Sequence, residues 1–264
     1  MATIHPTAIV GEGAELGDVV VGPYAVLGGK VHLHDGVMVG PHAVIDGDTT
    51  IGPGTTIGPH AVIGGLPQDR KHDVRAPTQL VVGRNNVFRE FTSVHRGSSS
   101  GRGTTTLGDG NYLMANSHVA HDCVVGSDTT FANSAAIGGH VTIGDGAVLG
   151  GLSAVHQHCR VGRLAMLGGG AMCAQDVPPF TIAQGDRARL YGLNILGLRR
   201  AGLADATIGV LKDAWRMLFM GDLPRRIAWS SVEQSYGTVA EVKELLDFMT
   251  SSARGVSRAG AGPE

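Results

Sequence analysis

Aromatic side chains are scarce in this 264-residue chain, at 5%, and neither sign of charge dominates, the formal net charge being −2. The first scarcity argues against an ordinary globular core built around large rings. The second removes any global pull toward nucleic acid, so no nucleic-acid partner is expected. Cysteine is limited to Cys123, Cys159 and Cys173, an odd number without a CxxC pair. That favours neither a disulfide framework nor a zinc knuckle and suits a reducing cytosol. No apolar run approaches the roughly 18 residues of a membrane span. The opening "MATIHPTAIVGEG" has neither the charged nor the apolar region of a secretory signal. A cytoplasmic protein without stable membrane insertion is expected.

What the chain has is 41 glycines and a six-residue rhythm. Aliphatic residues recur at Val21, Leu27, Leu33, Val39, Ile45, Ile51, Ile57 and Ile63. The period returns at Val82, Phe88 and Val94, and again without a slip from Leu107 through Val119, Val125, Phe131 and Ile137 to Cys173. Ile4, Val10 and Leu16 follow it one residue out of step with the first block. A period of six fits neither a 3.6-residue helix nor a hairpin array, but it fits a parallel β-helix in which each hexad is a short strand plus a corner. Small residues are expected at the corners, because glycine tolerates positive φ there. Residues 1–186 are read as this β-helix. The interruptions "GLPQDRKHDVRAPTQ" (64–79) and "GSSSGRGTTT" (97–106) break the period, so they must leave the wall as loops, where function commonly sits.

Residues 187–264 change pattern. Ile208, Leu211, Trp215, Leu218 and Phe219 stand at helical spacing, as do Val239, Val242, Leu245, Leu246 and Met249, so a small α-helical C-terminal domain is expected. The end "SRAGAGPE" reads as a frayed tail. This domain carries 11 of the 21 Lys and Arg against 8 Asp and Glu, a net +3 opposite −5 for the rest. The asymmetry fits either an acidic partner or a mixed solvated surface.

Three hexads per triangular coil place residues 18 apart one above another at about the 4.8 Å strand spacing. His121 then lies below Gly139 and Gly139 below Gln157, while Asp122 lies below His140 and His156 comes to the same edge. "NSHVAHDCVVG", "GGHVTIG" and "VHQHCR" therefore converge on one strip. Zinc needs three or four ligands. His118 and His121, three apart on an extended strand, should diverge, so no metal is expected. A general base fits better: histidine, with an ordinary pKa near 6.5, can take and return a proton at neutral pH. Acyl transfer to a hydroxyl also needs a donor for the developing oxyanion, and the N–H of Gly139 offers one. Asp122 is the candidate for fixing the His121 tautomer, although strand neighbours commonly point apart.

With "QDRK" (68–71), "VHRG" (94–97), "SHVAHDCVVG" (117–126), "GGHVTIGD" (138–145), "AVHQHCRVG" (154–162), "AQDVPPFTIAQGD" (174–186) and "GLNILGLRR" (192–200), the chain resembles the acyl-carrier-protein-dependent UDP-N-acetylglucosamine O-acyltransferases. These catalyse the first step of lipid A synthesis. The resemblance implies a homotrimer of left-handed parallel β-helices with active sites between subunits. It implies transfer of a 3-hydroxyacyl chain from acyl carrier protein to the sugar 3-hydroxyl, without metal or organic cofactor. His121 matches the general base and Gly139 the oxyanion donor. Gln68, Asp69, His118 and His140 match positions that hold the sugar or order the site. His156, Gln157, Asn194 and Arg200 match the nucleotide and phosphate region. The basic C-terminal domain gains acyl carrier protein as its candidate partner.

Leu196 departs from the family, standing where it commonly carries an acid, and Ala201 stands in place of an arginine. Gly169 lies where a larger side chain would shorten the acyl groove, which favours a longer chain. Three other readings compete, one of them a non-catalytic β-helix scaffold, which the departures at Leu196 and Ala201 motivate. The related N-acyltransferase of the same pathway carries an extra N-terminal domain, whereas the hexads here begin at Ile4. A metal-dependent lyase of the γ-carbonic anhydrase type pairs two histidines five apart, a spacing missing from this cluster.

Overall fold

The computed structural model describes residues 1–221 and 223–260. Successive hexads lay short strands in turn on three sheets, of eleven, nine and eight strands, parallel throughout except for the last strand of the first. The first sheet begins with Thr3–Ile4 and Val20–Val21, the second with Ile9–Val10 and Val26–Leu27, the third with Glu15–Leu16 and Val31–Leu33. Side chains alternate faces along a strand, so the second residue of each pair points inward. Leu27, Ile45, Ile51, Ile57, Ile63, Leu113 and Ile137 are all at most 1% exposed. Each such side chain contributes roughly 1.5–3 kcal/mol by leaving water, and the repeat places it on its equivalent in the next coil.

The register follows the expected step. His118–Val119 pairs with Ala136–Ile137, which pairs with Ala154–Val155. The first coil is one residue shorter, Thr3 pairing with Val20, which explains the offset series Ile4, Val10, Leu16. Across the interruptions Asp48 pairs with Gln79, 31 residues on, and Ser93 with His118, 25 on. The surplus residues leave the wall as loops 66–78 and 96–103.

The corners differ from expectation. Besides glycines, Tyr24, His42, His60, Phe91, Asp122, His140, His158 and Leu164 all take φ between 54° and 63°, a conformation that costs a non-glycine residue about 1 kcal/mol or more. Contacts along the corner offset that cost. His60 donates its N–H to Pro41 O in the coil below, and Tyr24, His42, His60 and Phe91 stack ring on ring at 4.9–5.1 Å.

The last parallel strand, Thr181–Gln184, turns back into the antiparallel strand Arg189–Leu193. This hairpin spans the expected junction at residues 186 and 187. Helices α1 (Ile195–Arg200), α2 (Asp205–Trp215), α3 (Arg225–Tyr236) and α4 (Ala240–Thr250) follow, with a π-helical turn at Arg216–Met220. The two periodic segments of the sequence are α2 with its π turn and α4. The tail is not frayed where it is described. Leu190 donates to Arg258 O and Gly260 to Leu190 O, so the chain end satisfies the open edge of the hairpin, with Ser257 buried. The last four residues of "SRAGAGPE" lie outside the described residues. No described helix is long and apolar enough to cross a membrane.

Candidate active site

The site forms at the corner between the second and third sheets. The strand His118–Val119 ends two residues before His121, and His121 and Asp122 form the turn, where the left-handed φ of Asp122, at 60°, redirects the chain. The expectation that these neighbours point apart applies to two strand residues, and Asp122 is a corner residue instead. Its carboxylate swings back to accept from Nδ1–H of His121 at 2.8 Å. That bond fixes the tautomer and leaves Nε2 of His121 unprotonated and free to act as a base. The His121 side chain is 13% exposed and that of Asp122 fully buried.

Burial pushes the Asp122 carboxyl up, but the Ser98 hydroxyl, His121 and the Ser98 amide outweigh it and hold the group below the ordinary aspartate value. Asp122 therefore stays an anion at neutral pH and can balance a positive charge on His121.

Gly139 lies one coil above His121. A Cβ there would sit 2.7 Å from Cε1 of the imidazole, so only glycine fits against this ring. In the corner turns "GPYA", "GPHA" and "GPHA" the equivalent place is taken by Pro23, Pro41 and Pro59, which have no N–H. The coil therefore does not need the Gly139 N–H, and no acceptor among the described residues takes it. A free donor beside the base is what a developing oxyanion requires.

The 18-residue step carries the column from Asp122 through His140 to His158. His140 lies edge-on to His121, with ring centroids 5.2 Å apart, and stacks flat on His158 at 4.4 Å. Thus His158, and not His156, completes this strip. Burial lowers the His140 pKa, Asp122 opposes that fall, and the neighbouring His158 adds to it. His156 is exposed and accepts from Nη2 of Arg254 at 3.1 Å, facing the C-terminal part, and Gln157 is exposed beside it. His118, on the outer face of the second sheet, shares a 2.8 Å hydrogen bond with Oγ of Ser93 and packs against His95. Burial, then the charge of His121, lowers its pKa.

Both loops reach this corner. Asp69 accepts from the Ser100 hydroxyl and from the Lys71 N–H at 2.9 Å, and these two bonds lower its pKa. Gln68 is exposed next to it. His158, His95, Ser98 and Ser100 were not read from the sequence. The same 18-residue step that leads from Asp122 to His140 signals His158, whereas Ser98 and Ser100 lie in a loop with no step to follow and His95, at the end of the strand Ser93–His95, is separated from its neighbours in the next coil by that loop.

His121, Asp122 and His140 offer three ligand atoms within 4.8 Å of one another. The donor set does not suit a metal. Oδ1 of Asp122 accepts from the N–H of Ser98 and of Gly103, and Oδ2 from the Ser98 hydroxyl and from His121. A carboxylate with both oxygens so engaged has its lone pairs committed to donors.

Asn194 and Arg200 do not join His121 within this chain. They line a cavity of about 600 Å³ at another corner, between the third and first sheets, with Asp128, Arg163, Leu196 and Ala201. Asn194 caps α1, accepting from Gly197 N at 3.1 Å and donating to Leu164 O at 3.0 Å.

Residues 176–257 match the family model described as UDP-N-acetylglucosamine O-acyltransferase, domain 2, and residues 30–65 and 104–139 the bacterial transferase hexapeptide model. An acyl-(acyl-carrier-protein)–UDP-N-acetylglucosamine O-acyltransferase of Paraburkholderia phymatum is 44% identical over 98% of this chain and 100% of its own length. The Anaeromyxobacter dehalogenans enzyme of that name is 47% identical over 97% and 99%. The solved UDP-N-acetylglucosamine acyltransferase of Campylobacter jejuni superposes with a TM-score of 0.91 at 34% identity, covering 98% of this chain and all of that one. The Moraxella catarrhalis O-acyltransferase gives 0.91 at 36%, covering 97% and 99%. The hexads, their left-handed β-helix and the C-terminal helices are thus shared from end to end, and the chain belongs to the acyl-(acyl-carrier-protein)–UDP-N-acetylglucosamine O-acyltransferase family.

Proposed function

We propose that the protein transfers a 3-hydroxyacyl chain from acyl carrier protein to the 3-hydroxyl of UDP-N-acetylglucosamine, the first step of lipid A biosynthesis. Nε2 of His121 removes the hydroxyl proton as the oxygen attacks the thioester carbonyl. The Gly139 N–H stabilises the oxyanion of the tetrahedral intermediate. Collapse breaks the carbon–sulfur bond, and the departing thiolate of acyl carrier protein takes the proton back from Nε2. Asp122 balances the charge on His121 in between. The observation that carries this reading is the His121–Asp122 pair lying directly under an uncommitted Gly139 N–H.

Gln68, Asp69, His118 and His140 hold the sugar in this reading, and His156, Gln157, Asn194 and Arg200 the nucleotide. Gly169 is exposed, with room for a side chain, which supports a groove open to a longer acyl chain. Three buried, unpaired cysteines support a cytoplasmic setting. Asn194 and Arg200 sit at a different corner of the prism from His121, which supports a homotrimer in which each cleft joins the His121 corner of one protomer to the Arg200 corner of the next.

The test is the rate of acyl transfer from 3-hydroxyacyl carrier protein to UDP-N-acetylglucosamine by His121→Ala. Loss of about a thousandfold or more in kcat is expected, with the circular dichroism unchanged. A folded His121→Ala protein with the wild-type rate removes His121 as base.

A further inference from the structure

The serine run of the second loop, "GSSSG" at 97–101, takes no part in the proton transfers at His121, yet it surrounds the carboxylate on which His121 depends. Ser98 is fully buried. Its hydroxyl donates to Oδ2 of Asp122 at 2.6 Å, the same oxygen that accepts from His121. Its N–H lies 3.1 Å from Oδ1, which also takes the Gly103 N–H at 3.0 Å. Gly101 closes over the group: a Cβ there would fall 2.6 Å from Cε1 of His140. From the other side, the Asp122 N–H is taken by Oγ1 of Thr105 at 2.8 Å.

A carboxylate turns easily about its last torsion, which is broad and two-fold. The Ser98 hydroxyl and amide, with Gly103, select one orientation of it. Further out stands a second serine. Oγ of Ser98 lies 3.1 Å from Oγ of Ser100, and Ser100 donates to Asp69 in the first loop. Each hydroxyl has a single proton. With Ser98 donating to Asp122 and Ser100 to Asp69, none lies between the two serines. A sugar group that displaces Ser100 from Asp69 frees its proton to turn toward Ser98, which strengthens the Ser98 donation to Asp122.

We propose that Ser98 is a positioning residue for acyl transfer, holding the Asp122 carboxylate in the orientation that engages His121. The proposal rests on His121 and Asp122 acting as base and partner. It explains why the loop is serine-rich at this point and why it bends inward over Asp122.

The measurement is kcat, KM for each substrate and the pH profile of kcat/KM for Ser98→Ala and Ser98→Thr. Ser98→Ala is expected to lose on the order of tenfold in kcat with KM changed less than about twofold. The acid limb should move to higher pH, because the Asp122 carboxyl loses the hydroxyl that does most to hold it below the ordinary aspartate value. Ser98→Thr, which keeps the hydroxyl, should restore both. If the alanine variant does not fold, Ser98→Cys keeps the volume, weakens the donor and is read in the same way. An unchanged kcat and acid limb, even with a lower melting temperature, would make Ser98 a purely structural residue and overturn the proposal. His121→Ala assayed alongside separates the cases: if it too is fully active, the base assignment fails, and if it is inactive while Ser98→Ala matches wild type, only the role of Ser98 does.

Discussion

At the scale of single residues, the periodic map was enough to bring His121 under Gly139, but not to orient Asp122. The map treats every hexad as a strand and is blind to the left-handed corner residue that sends a side chain back toward its neighbour. It is also blind to His95, whose companions depend on the length of a loop. His95 is 7% exposed, with no partner for Nδ1 among the described residues. Burial, then the charges of His118 and His121, push its pKa down to about 4. The sign of the consequence is fixed. Between the ordinary histidine value near 6.5 and pH 4 the unfolded chain binds a proton at this site that the folded chain refuses, so stability falls as pH falls through that window. The carboxylates lowered in the fold lose their contribution only below the ordinary aspartate value. His95 alone accounts for a loss on the order of 3 kcal/mol by pH 4, and His118, lowered in the same way, adds to it. Urea unfolding at pH 7.5, 6, 5 and 4 should show the decline, and His95→Gln should flatten it. Parallel pH dependence in that variant and wild type would rule His95 out as the cause.

At the scale of elements, the strands were legible because the hexad pattern is the fold: each aliphatic residue marks one inward position. Helix α4 was legible from its apolar stripe, whereas α3, with only Ala228 and Val232 buried on its described face, carries too weak a stripe to read. What holds these helices to the coil was not legible, because it joins residues far apart in sequence. Arg160, on the third sheet, donates to Asp176 at 3.1 Å, to Phe248 O at 2.8 Å and to Ser251 at 3.1 Å, with its guanidinium 4.3 Å over the Phe248 ring. Asp176 is 1% exposed and also accepts from Ser252 at 2.8 Å. Arg160→Ala would leave Asp176 a buried charge short of its cation and release the end of α4. A cost of about 3 kcal/mol is expected, seen as a lower melting temperature and as faster proteolysis within residues 240–260 than within the coil. Arg160→Lys should recover only part of it, because an ammonium cannot reach all three acceptors in one plane. Equal proteolysis of coil and helices in Arg160→Ala would mean that the two parts unfold together and that this contact does not govern docking.

For the whole molecule, the arrangement of faces decides how the proposed site is assembled. Outward residues of the first two sheets are largely apolar, with Val20 and Met38 on one and Ile9, Val26, Val44 and Val62 on the other, and these faces meet at the corner that carries the ring stack. Turning that corner inward covers both faces and closes a ring by rotation. In the proposed trimer it would also bring the His121 corner of each protomer beside the Arg200 corner of the next. In solution the mass should therefore be near three times the 27.2 kDa of one chain, and Met38→Glu/Val44→Glu should lower it. Shared clefts make a sharper demand, which mass alone does not test. His121→Ala spoils every cleft of its own trimer, and Arg200→Ala does the same from the other side. In trimers formed by co-expressing the two variants, a cleft that takes its His121 half from the Arg200→Ala chain and its Arg200 half from the His121→Ala chain is intact. With random mixing each half is sound half the time, so about a quarter of the clefts are whole. Acyl transfer should recover to about a quarter of the wild-type rate in the mixture, while either variant alone stays near its own floor. If both halves of a working site came from one chain, no mixed trimer would contain a sound cleft and the mixture would be as inactive as its parts.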